Sequence, residues 1–271
     1  MKFGLNQVTA PVLAYPEFLD LAAELGCVGV ELRNDLGRLL FDGIEAAQAG
    51  DMARARGLRI LGLSEVPQFN DWGLEAEART RALIGAARDA GAETISLIPR
   101  NDGLGGANGE RQANLRIALK AICPLVREAG LRALVEPLGF ASSSLCDGRE
   151  VAEVVETLGM IDCVSLVYDT FHAALAGGAP MAADRIGIVH ISGVTDPGVG
   201  LAEMQDGHRV LVADGDRLGN TDQIAALLAD GYDGVFSFEC FSPEVQRLEN
   251  PADALRQSME FITSRVMAKA A

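Results

Sequence analysis

Four apolar runs in the second half of the chain each stop on a side chain able to donate a lone pair: LVEP on Glu136, LVYD on Asp169, IVH on His190 and FSFE on Glu239. Three carboxylates and an imidazole facing one another raise each other's pKa values and repel unless a cation sits among them. A divalent metal ion removes that conflict. An oxygen-rich set with one nitrogen suits Mn2+, Mg2+, Co2+ or Zn2+, among which ligand type alone does not choose. One Glu ending an apolar run is ordinarily a solvated residue or an arginine's partner, and one His is ordinarily a rim side chain. Four such endings in succession are what point to a metal. The earlier runs end on Asn6 and Gln7, on Glu31, on Ser64 and Glu65, and on Pro99 and Arg100. Glu31 is placed either to bind substrate hydroxyls or to pair with Arg33 or another barrel residue. Trp72, the only tryptophan, lies in the loop PQFNDWG. It is placed either against the C–H face of a sugar ring or against a neighbouring subunit. Phe69 and Phe241 carry the same two readings, or simply wall the pocket.

The elements that must position these residues are legible as an alternation. Strand-like runs occupy residues 2–6, 27–32, 58–64, 94–99, 131–137, 163–169, 186–192 and 234–240, and amphipathic segments rich in Ala, Leu, Glu and Arg fill the gaps. Several of these helices stop at a glycine, as at Gly26, Gly57, Gly91, Gly130 and Gly231, where a C-cap requires positive φ. Near-continuous apolar strands each followed by a helix indicate a parallel sheet buried on both faces. Eight such units in 271 residues match a (β/α)8 TIM barrel, whose active site gathers at the C-terminal strand ends. An open doubly wound sheet is the alternative. Strand 1, however, runs into QVTAPVLAYP with no GxGxxG or P-loop match, and GLGGANG near residue 105 lacks the Lys-Ser/Thr of a phosphate loop. No linker or low-complexity tract divides the chain, so residues 1–271 are predicted to form a single domain.

The formal charge of −15 opposes any polyanionic partner, because affinity for nucleic acid comes from Lys and Arg neutralising phosphates. Nucleic acid and anionic membrane are therefore excluded as expected partners, and most of the charge reads as a solvated exterior. The five cysteines are scattered and free of CxxC pairing, which predicts reduced thiols rather than a disulfide framework. No stretch approaches the ~18 apolar residues of a membrane helix, and the N-terminus carries no signal-like segment. The expected location is cytoplasmic.

In order and spacing, LVEPLGF, LVYDTFH, IVHISGVTD and FSFECFSPE resemble the strand ends of the xylose-isomerase-like TIM barrels, a family of sugar isomerases and epimerases that also includes endonuclease IV. Within it the likeness leans to the inosose (2-keto-myo-inositol) isomerases of inositol catabolism. GLNQVTA, GVELR and the ECFSPE ending fit the same pattern. The resemblance implies one divalent ion held by Glu136, Asp169, His190 and Glu239, with both glutamates also transferring protons. It further implies that His172, three residues after the metal Asp, touches substrate, and that Arg209, in the long loop after strand 7, reaches the substrate or the metal site. A surface arginine is the alternative for Arg209. The family's barrels are often homo-oligomers. Two departures narrow the likeness. The ketose 3-epimerases place a further Glu six residues after the first metal Glu, where this chain has Ser142. The endonuclease branch uses three zinc ions and many histidines, whereas this chain has only His172, His190 and His208.

The chemistry these parts allow is carbonyl transposition. A metal bound to a carbonyl oxygen and its neighbouring hydroxyl lowers the pKa of the intervening C–H and stabilises the enediolate. One glutamate takes the proton and the other helps return it next door, a contribution of roughly 10²–10⁴ in rate. The expected activity is that of an isomerase acting on a keto-inositol or related polyol or ketose. The alternatives are a dehydratase of a cyclic keto-polyol (inosose or dehydroshikimate type), a ketose epimerase, or a metal-containing carbohydrate-binding protein without turnover. The lack of a phosphate cradle favours an unphosphorylated substrate.

Overall fold

Strands that alternate inward and outward side chains every second residue close here into a ring. The computed structural model describes residues 1–178 and 181–270. Its strands are β1 (Lys2–Asn6), β2 (Gly29–Arg33), β3 (Arg59–Pro67), β4 (Thr94–Ile98), β5 (Arg132–Val135), β6 (Val164–Asp169), β7 (Ile186–Ile191) and β8 (Val235–Phe238). Every neighbour is parallel, in sequence order, and β8 pairs back onto β1 from Lys2↔Val235 to Leu5↔Phe238. The chain is therefore a closed (β/α)8 barrel of one domain, and the open doubly wound alternative is excluded.

The connecting helices are α1 (Tyr15–Glu24), α2 (Ala46–Ala55), α3 (Leu74–Ala90), α4 (Glu110–Glu128), α5 (Gly148–Thr157), α6 (Thr170–Leu175), α7 (Asn220–Ala229), α8 (Pro243–Gln246) and α9 (Pro251–Ala270). The five glycines expected to end helices all have positive φ, from 69° at Gly26 to 92° at Gly231, a region closed to most side chains. The one-turn α8 has too short a pattern to be seen in sequence. No helix among the described residues is long and apolar enough to cross a membrane.

Two apolar regions hold the barrel. The larger lies between strands and helices and includes Phe18, Leu32, Leu63, Ile122 and Phe236, all essentially inaccessible to solvent. The smaller joins Leu61, Leu134, Val167, Ile188 and Val235 from five different strands, which places it inside the ring as a floor. Burial of each such side chain contributes about 1.5–3 kcal/mol. Further along the same inward face, two residues beyond Leu134, Val167 and Ile188 and four beyond Val235, stand Glu136, Asp169, His190 and Glu239. The floor and the site are thus one alternation, read one repeat apart on three strands and two repeats apart on β8.

The expectation of reduced thiols throughout is corrected at one place. Cys123 on α4 and Cys163, just before β6, are joined as a disulfide with Cα atoms 6.1 Å apart. Forty residues separate them in sequence, and only the packing of α4 against the barrel brings them together. Cys27, Cys146 and Cys240 are free.

Candidate metal centre

Asp169 ends β6 and at the same time caps α6. Its Oδ1 accepts hydrogen bonds from the backbone N–H of Phe171 at 2.7 Å and of His172 at 3.0 Å. An N-cap carboxylate satisfies donors that a helix otherwise leaves orphaned. The other oxygen, Oδ2, faces the barrel mouth, where it accepts from Arg209. The sequence DTFH is therefore a strand end and a helix start sharing one residue.

His190 lies between carboxylates on both sides. Its Nε2 is 3.0 Å from Glu31 Oε2. Its Nδ1 is 3.1 Å from Glu239 Oε2, 3.8 Å from Glu136 Oε1 and 4.0 Å from Asp169 Oδ2. One ligand atom from each of Glu136, Asp169, His190 and Glu239 lies within 4.8 Å of all the others, and all four residues are buried. The structure thus brings together the four endings singled out in sequence.

The cluster is balanced by two buried guanidiniums. Arg209 donates to Asp169, to Glu239 Oε2 at 2.9 Å, to Ser192 Oγ at 2.9 Å and to Asp206 at 3.1 Å. Its guanidinium carbon lies 5.1 Å from the Phe171 ring centre and 4.8 Å from that of Phe241. Arg33 donates to Glu239 Oε1 at 2.9 Å and to Asp35, and it reaches Glu65 at 3.4 Å. Asn6 donates to the same Glu239 oxygen at 3.1 Å. Burial alone would lower the pKa of either arginine, but these carboxylates raise both above the ordinary value.

The carboxylates and imidazole divide in response. Burial and the Glu239 charge push Glu136 up to about 7. Burial would also raise Glu239, yet His190, Arg209 and Arg33 hold it well below the usual range. Burial would lower His190, but Glu239 and Glu31 lift it well above 6.5. A proton on His190 and another shared with Glu136 thus do, in the protein alone, what a divalent cation does when bound.

The residues fit such a cation. Three carboxylates and one imidazole form an acceptable donor set for Mn2+, Mg2+, Co2+ or Zn2+. His190 Nδ1 is buried and makes no well-formed hydrogen bond despite its nearness to Glu239. With Nε2–H donating to Glu31, the lone pair of Nδ1 is directed toward the carboxylates, the arrangement in which an outer partner orients a metal-binding histidine.

The remaining predicted residues divide. Arg209 is fully buried at the centre rather than on the surface. His172 is buried on α6, with Nε2 4.0 Å from Glu136 Oε1 and Nδ1 without a partner. Burial lowers its pKa, favouring the neutral ring, and Phe140 and Phe171 pack edge-on against it at 5.0 and 5.2 Å. Gly139 admits this packing, since a Cβ there would come within 2.2 Å of the His172 carbonyl oxygen. Glu31 pairs with another barrel residue, His190, rather than with Arg33. Trp72 is half-buried against the main core and Phe69 is fully buried within it, so neither lines the cavity next to the cluster. Phe241 lies between the two arginines. Arg33 and Asn6 were missed as partners of Glu239; their only sequence signal was their position at the ends of β2 and β1.

That cavity measures about 880 Å³ and has Asp169 and His172 on its wall. It opens between the loop after β5, α6, and the segment near residues 201–205. A second, of about 450 Å³, lies behind Asp35 and Glu65.

A family profile described as the xylose isomerase-like TIM barrel matches residues 19–265. Among solved structures, a xylose isomerase domain-containing protein of Salmonella typhimurium LT2 is 28% identical, with a TM-score of 0.90 over 98% of this chain and 97% of that one. The IolI protein, solved with a bound zinc atom, is 19% identical with a TM-score of 0.84 over 99% of each chain. D-allulose 3-epimerase from a Methylomonas species, solved with D-allulose, is 19% identical with a TM-score of 0.71 over 98% and 97%. At these last two identities the likeness is one of fold. No curated protein matches the chain in sequence.

Proposed function

We propose, for a chain that belongs to the xylose isomerase-like TIM barrel family, that it is a divalent-metal-dependent isomerase of a keto-inositol or a related unphosphorylated polyol or ketose. The observation that carries this reading is the buried convergence of Glu136, Asp169, His190 and Glu239 within 4.8 Å, beside a cavity that admits a small molecule. We assign these four as the metal ligands. The bound ion would supply Lewis-acid polarisation of the substrate carbonyl and its neighbouring hydroxyl.

The protein's own residues do the rest. Glu136 and Glu239 have environments that drive their proton affinities apart, the relation expected of an acid and a base serving one reaction. One takes a proton from the carbon beside the carbonyl, and the other delivers a proton to the adjoining carbon. His172, neutral and with Nδ1 free, hydrogen-bonds a substrate oxygen from the cavity wall. Arg209 holds Asp169 and Glu239 in place, and Glu31 fixes the ring of His190.

Ser142 favours isomerisation over 3-epimerisation. At the position of the epimerases' additional glutamate, it is exposed and donates to Asn101 Oδ1 at 2.7 Å. The enzyme would belong to the cytoplasmic breakdown of inositol or related sugars. The test is incubation of the Mn2+-loaded protein with ketoses and inososes in D2O. Deuterium uptake beside the carbonyl is expected, together with a product isomeric with the substrate. A product that has lost water would assign a dehydratase. No uptake from any candidate, with the ion bound, would sink the catalytic reading in favour of a binding protein.

A further inference from the structure

The cavity beside the carboxylate cluster is larger and less polar than a free polyol requires, and we infer that it receives an apolar body joined to the substrate's hydroxy-carbonyl end. This rests on the reading of the cluster as an isomerase site and narrows the class of substrate it takes. A volume of about 880 Å³ stands near the top of the roughly 300–1,000 Å³ range of pockets that enclose drug-sized ligands. A six-carbon ketose or cyclitol would occupy only the end that carries Asp169 and His172.

The walls are more apolar than polar, although Asn101, Ser142, Asp147 and Gln205 also line them. Phe140 comes from the loop after β5, Leu175 from α6, Met181 from the segment beyond it, and Leu201 and Met204 from the loop after β7. Phe171, Val194, Met204 and Leu218 form a separate buried cluster, with Phe140 and Leu175 packed on it, so this wall has a core of its own behind it. Hydroxyls set against such a wall would lose hydrogen bonds to water without replacing them. Apolar atoms there would instead be removed from water, and methionine side chains adapt to their shape. Among the described residues the one cation on the wall is Arg149, which is held by Asp147 at 2.9 Å. A phosphate at this end would meet no free positive charge. The tail is therefore neutral.

The test uses two hydroxyketones that differ only by a benzyl group, hydroxyacetone and 1-hydroxy-4-phenylbutan-2-one, titrated into the Mn2+-loaded protein. The tailed ketone should bind at least ~30-fold more tightly, the gain expected from burying an aromatic ring. Ala176→Trp and Ala202→Trp, at exposed positions after α6 and in the loop after β7, should each erase that gain while leaving the affinity for hydroxyacetone within about twofold. Two substitutions guard against one of them misfolding. Equal affinity for both ketones, or a gain that survives both tryptophans, would overturn the proposal. So would a change of oligomeric state caused by Leu201→Asp, which would assign the apolar wall to an interface between copies. Deuterium exchange is read in the same samples. A tail preference without exchange would refute the isomerase reading alone, and exchange without a tail preference would refute this one alone.

Discussion

The two halves of the barrel do different work. Strands β5 to β8 each deliver one donor to the cluster: Glu136, Asp169, His190 and Glu239. Strands β1 to β3 deliver none, yet Asn6, Glu31 and Arg33 all reach one or another of those donors, and Glu65 reaches Arg33. One half holds the donor atoms together with Arg209, and the other adds the outer partners that orient Glu239 and His190. The difference teaches that a buried group of carboxylates is built as a pair of layers. Without the second layer the first would be an assembly of unpaired charges, each costing several kcal/mol.

The comparison breaks first at the donors. Glu136→Gln or Glu239→Gln should weaken metal affinity in a chelator competition and, at saturating Mn2+, should still lower proton exchange by about 10²–10⁴. Chelation should abolish exchange entirely, and added Mn2+ should restore it. The positive charge within the donor half comes next. Arg209→Met leaves Asp169 without its buried cation and Glu239 with Arg33 alone, and the metal-free protein should lose about 3–5 kcal/mol in denaturant titrations. A divalent ion, substituting for the lost cation, should recover part of that loss.

A support residue should cost binding rather than chemistry. Glu31→Gln is expected to weaken metal affinity about 10–100-fold in a chelator competition, with a smaller change in exchange at saturating metal. Protonation distinguishes the halves more gently. Glu136 ionises near 7 when folded and near 4.5 when unfolded, so between those values the native state holds the extra proton. Its contribution is full below pH 4.5 and is lost as pH rises toward 7. The metal-free protein should therefore be less stable at pH 7 than at pH 5, and Glu136→Gln should flatten the slope. Glu65, pushed up to about 7 mainly by burial, adds a share of the same sign that the substitution leaves in place. The smallest effect is at Trp72. Packed against the core away from the cavity, its replacement by Phe should leave exchange within about twofold.

The donor half was legible because each ligand terminates a continuous apolar run, and such a run can only be a buried strand. The same periodicity predicted the closed barrel and the glycine C-caps. The supporting half was not legible, for a geometric reason. Arg33 lies 206 residues from Glu239 and Asn6 lies 233 from it, and nothing local marks an arginine as bound for the barrel axis. Glu31 was recognised as a strand end, but its partner depends on the side chain across the ring. Trp72 was hard to place because an aromatic in a loop after a strand can face the mouth or the core, and here it packs half-buried against the main core. The Cys123–Cys163 link was invisible for the same reason as Arg33: the contact is made by tertiary packing.

Asp169 has one oxygen committed to the first turn of α6 and the other to the centre of the site. The imidazole of His172 therefore hangs from the same carboxyl group that is assigned to the ion. The backbone of α6's first turn and the centre of the cluster are thus anchored to one carboxyl group, and a change at Asp169 is felt at both.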